Sequence, residues 1–222
     1  MRQATSMDVS TAVNQRLSVR QFLDTPVPDE LLRELLTKAS RSPSGGNVQP
    51  WKIYVLNGDA THDFLASIAE RPLDPPEYEI YPPNLWEPHR TTRFELGEDM
   101  YATLGIERAD KAGRLGQMAK NYEFFGAPAA IFMYLDRRML PPQWSDAGMY
   151  LQTLMLLCEE AGLATCAQEI WSTRHQAVSD FVGAPDELML FCGMAIGYKD
   201  VDAPVNSLRS KRLALDEFAT FV

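Results

Sequence analysis

Apolar residues recur at helical spacing in three parts of the chain. Four leucines in residues 29–39 stand at positions i, i+1, i+4 and i+5, after Pro28 and two acidic residues, which predicts an amphipathic helix. Five apolar side chains of residues 144–161 share one face: Ala147, Leu151, Leu154, Met155 and Cys158. Because Gly162 follows them, this segment is predicted to be a long core helix. Residues 7–15 predict a shorter helix.

Three other segments have the residue pattern of strands, namely 51–56, 129–134 and 190–198. The six prolines in residues 71–93 exclude regular helix and predict an excursion over the surface. Helix-favouring polar sequence resumes in residues 94–121. These elements predict strands and helices that share one core.

The chain contains no internal repeat, low-complexity tract or linker, so residues 1–222 are predicted to form one domain. Its lid, the excursion with the helices after it, covers about residues 71–125. Strands separated by helices normally suggest a doubly wound parallel sheet. Neither G-x-G-x-x-G after an early strand nor G-x-x-x-x-G-K-[S/T] occurs, however. A nucleotide-like cofactor would therefore need side chains to hold its phosphate.

Composition narrows the function classes. The 222 residues are 45% hydrophobic and carry a net charge of −9 without long blocks of one sign, so we expect no nucleic-acid partner. The start carries no apolar leader and no apolar run could span a bilayer, which predicts a cytoplasmic protein without a membrane partner. The three cysteines fit neither a disulfide framework nor a zinc site and are expected to be reduced and buried. The histidines lack metal-ligand spacing, so no metal site is predicted.

A short basic stretch near the start could bind a phosphate. Arg16, Ser18 and Arg20 alternate with Leu17 and Val19, so in an extended backbone the two guanidiniums and the hydroxyl point to one side. Arginine forks match phosphate oxygens and serine adds a short neutral donor. The alternative is a solvated basic turn.

A polar loop lies between the helix at 29–39 and the strand at 51–56. Gly45 and Gly46 let the backbone approach a flat ligand, while Ser44, Asn47 and Gln49 offer donors and acceptors. The alternative is an ordinary connection in which these residues only satisfy turn geometry.

Together, R-x-S-x-R and S-P-S-G-G-N-x-Q-P-W, joined by a helix, resemble the FMN-dependent nitroreductase family. Other segments match the family as well: residues 121–128, 162–166, 193–198 and the closing stretch 206–218. The resemblance runs from about Val9 to the end of the chain. It implies an α+β fold with a central, mainly antiparallel sheet flanked by helices. It also implies an intertwined homodimer that exchanges a C-terminal arm, about residues 205–222.

The resemblance also implies which residues contact FMN. Residues 16–20 would grip the phosphate with an arginine of the closing stretch, for which Arg212 matches best and Arg209 is the alternative. The loop of the partner chain would lie along the flavin and contribute Pro43, Ser44, Gly45, Gly46, Asn47 and Gln49. Backbone donors of Gln168 and Glu169 would face flavin N5, and no side chain is predicted to act as a catalytic acid or base.

The implied reaction is hydride transfer from NADH or NADPH to FMN, followed by reduction of an electron-poor nitroaromatic at the same site by a ping-pong mechanism. Phe124 and Trp86 are predicted to contact this small-molecule acceptor, although Phe124 could instead anchor the next strand in the core. Two alternatives stay open. One is a same-fold reductive dehalogenase, which the three-residue spacing of Glu98 and Tyr101 disfavours; the other is a flavin-binding protein without useful turnover.

Overall fold

A computed structural model describes residues 7–222. Residues 1–6, part of the start for which no leader is predicted, lie outside the described residues. The helices are α1 Val9–Gln15, α2 Asp29–Ala39, α3 Asp59–Ile68, α4 His89–Thr103, α5 Lys111–Ala119, α6 Pro141–Glu160, α7 His175–Val182 and α8 Leu215–Phe218. The strands are β1 Phe22–Leu23, β2 Lys52–Asn57, β3 Ala129–Asp136, β4 Ala164–Gln168 and β5 Leu188–Lys199.

The strands form one antiparallel sheet in the order β1-β5-β3-β2, and β4 also pairs with β5. The strand β5 is central because Gly193 lies opposite both Phe132 of β3 and Gln168 of β4. This arrangement confirms the predicted α+β class and its mainly antiparallel sheet. The doubly wound alternative would have required parallel pairs.

Alternate residues of β3 face two separate hydrophobic cores, as the period of two in a strand requires. Phe132 and Tyr134 face a core that also contains Phe64 and Trp171. On the other face, the side chains that pack against α2 and α6 are Ala129, Ile131, Met133 and Leu135. Helices therefore cover both faces of the sheet, which explains why β3 is apolar along almost its whole length.

A glycine in β5 makes room for the largest buried side chain. A Cβ atom on Gly193 would lie 2.4 Å from Cδ1 of Trp171, closer than any real contact. Trp171 is fully buried and lies in the 3₁₀ segment Glu169–Arg174 that follows β4. The glycine thus fixes where the chain turns after β4, at the residues predicted to face the flavin.

The proline-rich part of the lid crosses the surface without helix as predicted up to Pro88, but the prediction is wrong for residues 89–93, because α4 begins at His89, directly after the last proline. The part before α4 is held by backbone hydrogen bonds. The N–H groups of Asp74 and Glu77 donate to the carbonyls of Thr173 and Ser172, at 2.8 and 3.0 Å. The helices α4 and α5 follow. The lid thus begins beside the 3₁₀ segment after β4.

The cysteines, the helix lengths and the metal-ligating side chains bear on the classes of function considered above. The three cysteines are free and buried, as predicted. Among residues 7–222, no helix combines the length and the apolar character needed to cross a membrane. Within the same range, no cluster of three or more metal-ligating side chains could hold a metal ion.

Candidate active site

Four arginines from two distant parts of the chain line one cavity of about 310 Å³, called here the arginine cavity. Arg16 and Arg20 come from the basic stretch, and Arg209 and Arg212 come from the closing stretch. The rest of the lining consists of Val13, Asn14, Leu17, Ser18, Leu96, Leu208 and Ser210. Both candidate arginines of the closing stretch therefore reach the same place.

The edge of the sheet positions the basic stretch. Ser18 forms a parallel bridge with Thr165 of β4, and the N–H of Val19 donates to the Thr165 carbonyl at 3.0 Å. Val19 is buried, while Arg16, Ser18 and Arg20 are half-buried. The alternation inferred from the sequence holds only in part beside β4: Val19 points inward, but Leu17 lines the cavity together with the polar groups.

Cys166 lies beneath this stretch and is buried in the core. Burial raises the pKa of its thiol, and the nearby Arg20 and Arg16 offset this only in part. A buried thiol held protonated is a poor nucleophile. Cys166 therefore packs as a small apolar side chain.

A side chain that the sequence analysis left without a role ties the two halves of the arginine cavity together. Asn206 is 7% exposed, and its Oδ1 accepts from the N–H of Arg20 at 2.8 Å. Its Nδ2 donates to the carbonyls of Gln21 and Asp200, each at 2.8 Å. The sequence N-S-L-R, which begins the closing stretch, drew attention to Asn206 as part of a family motif. Only the fold shows which groups its side chain forms hydrogen bonds with.

The four guanidiniums fit an anionic ligand. Within residues 7–222, none of them lies within 4.0 Å of a carboxylate. Three of them bond to backbone and hydroxyl oxygens instead: Arg20 to the Ser18 carbonyl, Arg209 to the Arg16 carbonyl, and Arg212 to Ser210 and the Lys211 carbonyl. Cations gathered without counter-charge around a serine hydroxyl match the terminal phosphate of FMN.

The polar loop at 43–49 lies away from the arginine cavity of the same chain. Its Gly45 N–H donates to both carboxylate oxygens of Asp146 at 3.2 and 3.3 Å, and Asp146 is buried in α6. Asn47 and Gln49 adopt left-handed φ values of 58° and 51°, a conformation that residues other than glycine rarely adopt. None of the residues Pro43, Ser44, Gly45, Gly46, Asn47 and Gln49 lines the arginine cavity of its own chain. Residues 45–49 are exposed.

The predicted N5 residues stand at the end of β4, so the presumed loop after Gly162 is in fact a strand followed by a 3₁₀ turn. Gln168 is buried, and its Nε2 donates to the Asn121 carbonyl at 2.7 Å. Glu169 is exposed to solvent, but the protein atoms around its carboxyl desolvate that group in part and raise its pKa. Since Thr165 contacts Ser18, the strand β4 connects the arginine cavity with this turn.

A second cavity, of about 530 Å³, lies beneath the lid and adjoins the first. This lid cavity shares Arg20, Leu96 and Leu208 with the arginine cavity. Its other lining residues are Tyr81, Arg90, Arg93, Phe94, Gly97, Glu98, Met100, Tyr101, Arg114, Gln117, Met118, Asn121 and Phe125. It thus extends from the cations of the arginine cavity to Asn121, the partner of Gln168.

Glu98 and Arg114 join the two lid helices across this cavity. The guanidinium of Arg114 donates to both oxygens of Glu98, at 2.5 and 3.0 Å, and lies 4.3 Å from the ring centroid of Tyr101. These hydrogen bonds lower the pKa of the Glu98 carboxyl. The Glu98 carboxylate is therefore already bound by Arg114.

The prediction that Phe124 stacks on the acceptor is wrong. Its ring is completely buried, with centroids 4.7 Å from Trp171 and 5.6 Å from Phe132. Left-handed backbone at Phe124 and Phe125, with φ of 49° and 55°, turns the first ring into the core, while Phe125 lines the lid cavity. Phe124 is a packing residue.

Trp86 is not part of either cavity. Its side chain is 60% exposed and makes an edge contact with His89 at 5.6 Å between ring centroids. It lies outside the linings of the arginine cavity and the lid cavity. The contact between Trp86 and the acceptor stays a prediction, because the single chain places this side chain outside both cavities.

Comparison with known proteins gives consistent matches along the chain. The model of the nitroreductase family matches residues 13–198. The nitrobenzene nitroreductase of Ectopseudomonas oleovorans is 33% identical over 98% of both chains. The 4-nitrobenzoate reductase of Pseudomonas putida is 35% identical, covering 97% of this chain and 96% of the relative.

Solved structures agree in fold. The FMN- and NADPH-dependent nitroreductase NfnB from Sphigopyxis sp. strain HMH superposes with a TM-score of 0.93 at 43% identity, covering 97% of this chain and 99% of that chain. The FMN-dependent nitroreductase NfnB of Mycobacterium smegmatis, solved with NADPH, gives 0.89 at 28% identity and covers 97% and 100%. The similarity thus extends over the basic stretch, the lid and most of the closing stretch.

Proposed function

Because this chain belongs to the nitroreductase family, we propose that it is an FMN-dependent NAD(P)H oxidoreductase that reduces nitroaromatic or similar electron-poor acceptors. The observation that carries the proposal is the junction of two cavities at Arg20. One cavity gathers four guanidiniums without counter-charge, and the other is large enough for an aromatic ring. The similar proteins named above as nitrobenzene and 4-nitrobenzoate reductases support the substrate class.

The arginine cavity would hold the phosphate of FMN. Arg16, Ser18 and Arg20 would donate from one side, and Arg209 and Arg212 from the other. When bound, FMN would supply the hydride chemistry, taking electrons from NADH or NADPH and passing them to the acceptor. The contribution of the chain is to fix the phosphate and to shape the space beneath the lid.

At the end of β4, the backbone N–H groups of Gln168 and Glu169 are the donors proposed to polarise the reacting edge of the cofactor. Gln168 is held in place because its side chain bonds to both Asn121 and Trp171. A buried and hydrogen-bonded residue keeps its backbone aligned without reorganisation during the reaction. No side chain in this turn is required as an acid or base.

We propose that the active form is a homodimer, in which the exposed loop at 43–49 completes the cofactor site of the partner chain. Three large apolar side chains of the closing arm support this: Leu215, Phe218 and Phe221 are 55%, 67% and 86% exposed. Such a cluster at the end of a chain is typical of a surface that a partner covers.

We also propose a cytoplasmic location. Three reduced, buried cysteines are compatible with a reducing compartment. They pack in the two cores and form no disulfide, so the fold does not need an oxidising environment.

The reductive dehalogenase alternative is less well supported by the lid. A carboxylate that clamps a zwitterionic amino acid must be free to receive its ammonium group. Glu98 is instead engaged by both nitrogens of Arg114. The lid cavity therefore lacks a free carboxylate among its lining residues.

The proposal is tested by steady-state oxidation of NADH and NADPH with and without 4-nitrobenzoate. We expect a yellow protein with one FMN per chain and acceptor-dependent consumption of at least one nicotinamide. A flavin-binding protein without useful turnover would be yellow, but its rate of nicotinamide oxidation would not rise when the acceptor is added. A protein that binds no added FMN would refute the proposal.

A further inference from the structure

Helix α5 reverses the usual distribution of polar and apolar side chains. Its one buried residue is Gln117, which is 5% exposed. Leu115 and Met118, on the same helix, are 64% and 48% exposed. Glutamine is rarely buried unless its polar atoms are bonded. The helix thus places a polar side chain where packing alone would favour a leucine.

The buried amide of Gln117 lacks a partner for its donor. Within residues 7–222, its Nε2 is shielded from solvent and makes no hydrogen bond. Leaving such a donor unpaired is unfavourable, because it has lost its hydrogen bonds to water without gaining another. Since the side chain also lines the lid cavity, a ligand in that cavity is the natural source of the missing acceptor atom.

The charges around the lid cavity indicate which kind of atom this is. Four guanidiniums line the cavity, those of Arg20, Arg90, Arg93 and Arg114, against the single carboxylate of Glu98. Arg114 pairs with that carboxylate, and Arg90 pairs with Glu87, which is not among the lining residues. Within residues 7–222, Arg20 and Arg93 are the two lining guanidiniums without a carboxylate partner. A positively charged lining favours a ligand with electron-rich oxygens over one with an ammonium group.

We propose that Gln117 is a substrate-binding residue, whose Nε2 donates a hydrogen bond to an oxygen of the nitro or carboxylate group of the acceptor. This inference rests on the proposed function and names the residue that selects the acceptor. A neutral hydrogen bond of this kind changes affinity by about 2- to 10-fold.

The test uses Gln117→Leu, which keeps the size of the side chain and removes the donor, and Gln117→Glu, which replaces the donor by a negative acceptor. Gln152→Leu, at an exposed position of α6, is the matched control. For each holoprotein, calorimetry measures the affinity for 4-nitrobenzoate without a reductant, and kinetics give KM and kcat for 4-nitrobenzoate and nitrobenzene. FMN affinity and dimer dissociation are measured in parallel.

We expect Gln117→Leu to weaken 4-nitrobenzoate binding and raise its KM by about 2- to 10-fold. Gln117→Glu should act more strongly, because it places a negative charge beside the oxygens. FMN affinity, dimer dissociation and kcat should stay at the wild-type values, as in Gln152→Leu.

Three results would overturn the assignment. Unchanged acceptor affinity and KM would mean that Gln117 does not bind the acceptor. A loss of FMN affinity alone would assign the hydrogen bond to the flavin, and a shift in dimer dissociation alone would assign it to the partner chain. A wild-type protein without FMN or turnover would instead refute the proposed function, so the two failures are distinguishable.

Discussion

Asn206 and Arg20 are joined by a hydrogen bond of 2.8 Å from the backbone N–H of Arg20 to Oδ1 of Asn206. The two residues are 186 positions apart in the sequence, and this bond holds the basic stretch against the closing stretch. It orients Arg20, which lines both the arginine cavity and the lid cavity. A single amide therefore fixes the geometry of both proposed binding regions.

We expect Asn206→Ala to weaken FMN binding about tenfold and to destabilise the apoprotein by about 1–3 kcal/mol. The variant leaves the N–H of Arg20 and two carbonyls without their buried partner. Fluorescence titration of FMN and urea unfolding would measure the two effects. Asn84→Ala, at an exposed site, is the control; equal behaviour of both variants would contradict the role of Asn206.

Removing two phosphate contacts should release most of the flavin. Each charge-assisted hydrogen bond contributes about 1.5–3 kcal/mol, so Arg16→Ala combined with Arg212→Ala should weaken FMN binding by about two to four decades. The single variants Arg209→Ala and Arg212→Ala decide which arginine of the closing stretch contributes more. The control is Arg33→Ala, on the exposed side of α2. Retention of FMN by the double variant would place the phosphate elsewhere.

The protein should be a dimer at nanomolar concentration, because the closing arm exposes Phe218 and Phe221 in a single chain. Light scattering of the holoprotein should give about twice the chain mass of 25.0 kDa. Deleting residues 214–222 should release flavin and lower solubility. A mass near that of one chain for the intact holoprotein would rule out the dimer.

Phe124→Ala should act on stability and not on acceptor binding. The ring fills the space between Trp171, Phe64 and Phe132, and its removal should cost about 3–5 kcal/mol. Phe94→Ala, at a site 49% exposed, should cost far less. A stable Phe124→Ala variant with a raised KM for nitroaromatics would restore the stacking role that the structure rejects.

Glu169 should make stability depend on pH. Desolvation raises the pKa of its folded-state carboxyl above the ordinary value of 4.5, so the folded state binds more protons than the unfolded state as pH rises through that value. The charged form therefore destabilises the fold at neutral pH. We expect Glu169→Gln to stabilise the apoprotein at pH 7 and to have no effect below the ordinary pKa. Equal effects at both pH values in urea unfolding would disprove this.

The pattern of apolar and polar residues predicted those helices and strands that depend mainly on neighbouring residues in the sequence. The helix at residues 29–39 has the predicted bounds, and the strand at 190–198 lies within β5. For the helix, the periodicity of apolar residues and the preceding Pro28 suffice, and for the strand the run of apolar residues does. The motif at 16–20 was likewise recognisable from its residue types, although Leu17 lines the same cavity as its polar groups.

The remaining features depend on contacts between distant residues. The strand β4 is short, and the segment after it buries Trp171 against Gly193, where a Cβ atom would collide with the indole. The burial of Phe124 follows from two left-handed residues that the sequence Phe124-Phe125-Gly126 does not reveal. The burial of Gln117 could not be predicted from apolar periodicity, because its helix exposes the apolar residues that periodicity would place inside.

The most direct test of the central claim is a crystal structure of the holoprotein with FMN. We predict that the phosphate lies in the arginine cavity, bonded to Arg16, Ser18 and Arg20 and to Arg209 or Arg212, with the ring extending toward Gln168 beneath the lid. The loop at 43–49 should approach the ring from the partner chain. A phosphate bound outside the four arginines, or a site completed by one chain alone, would contradict the account.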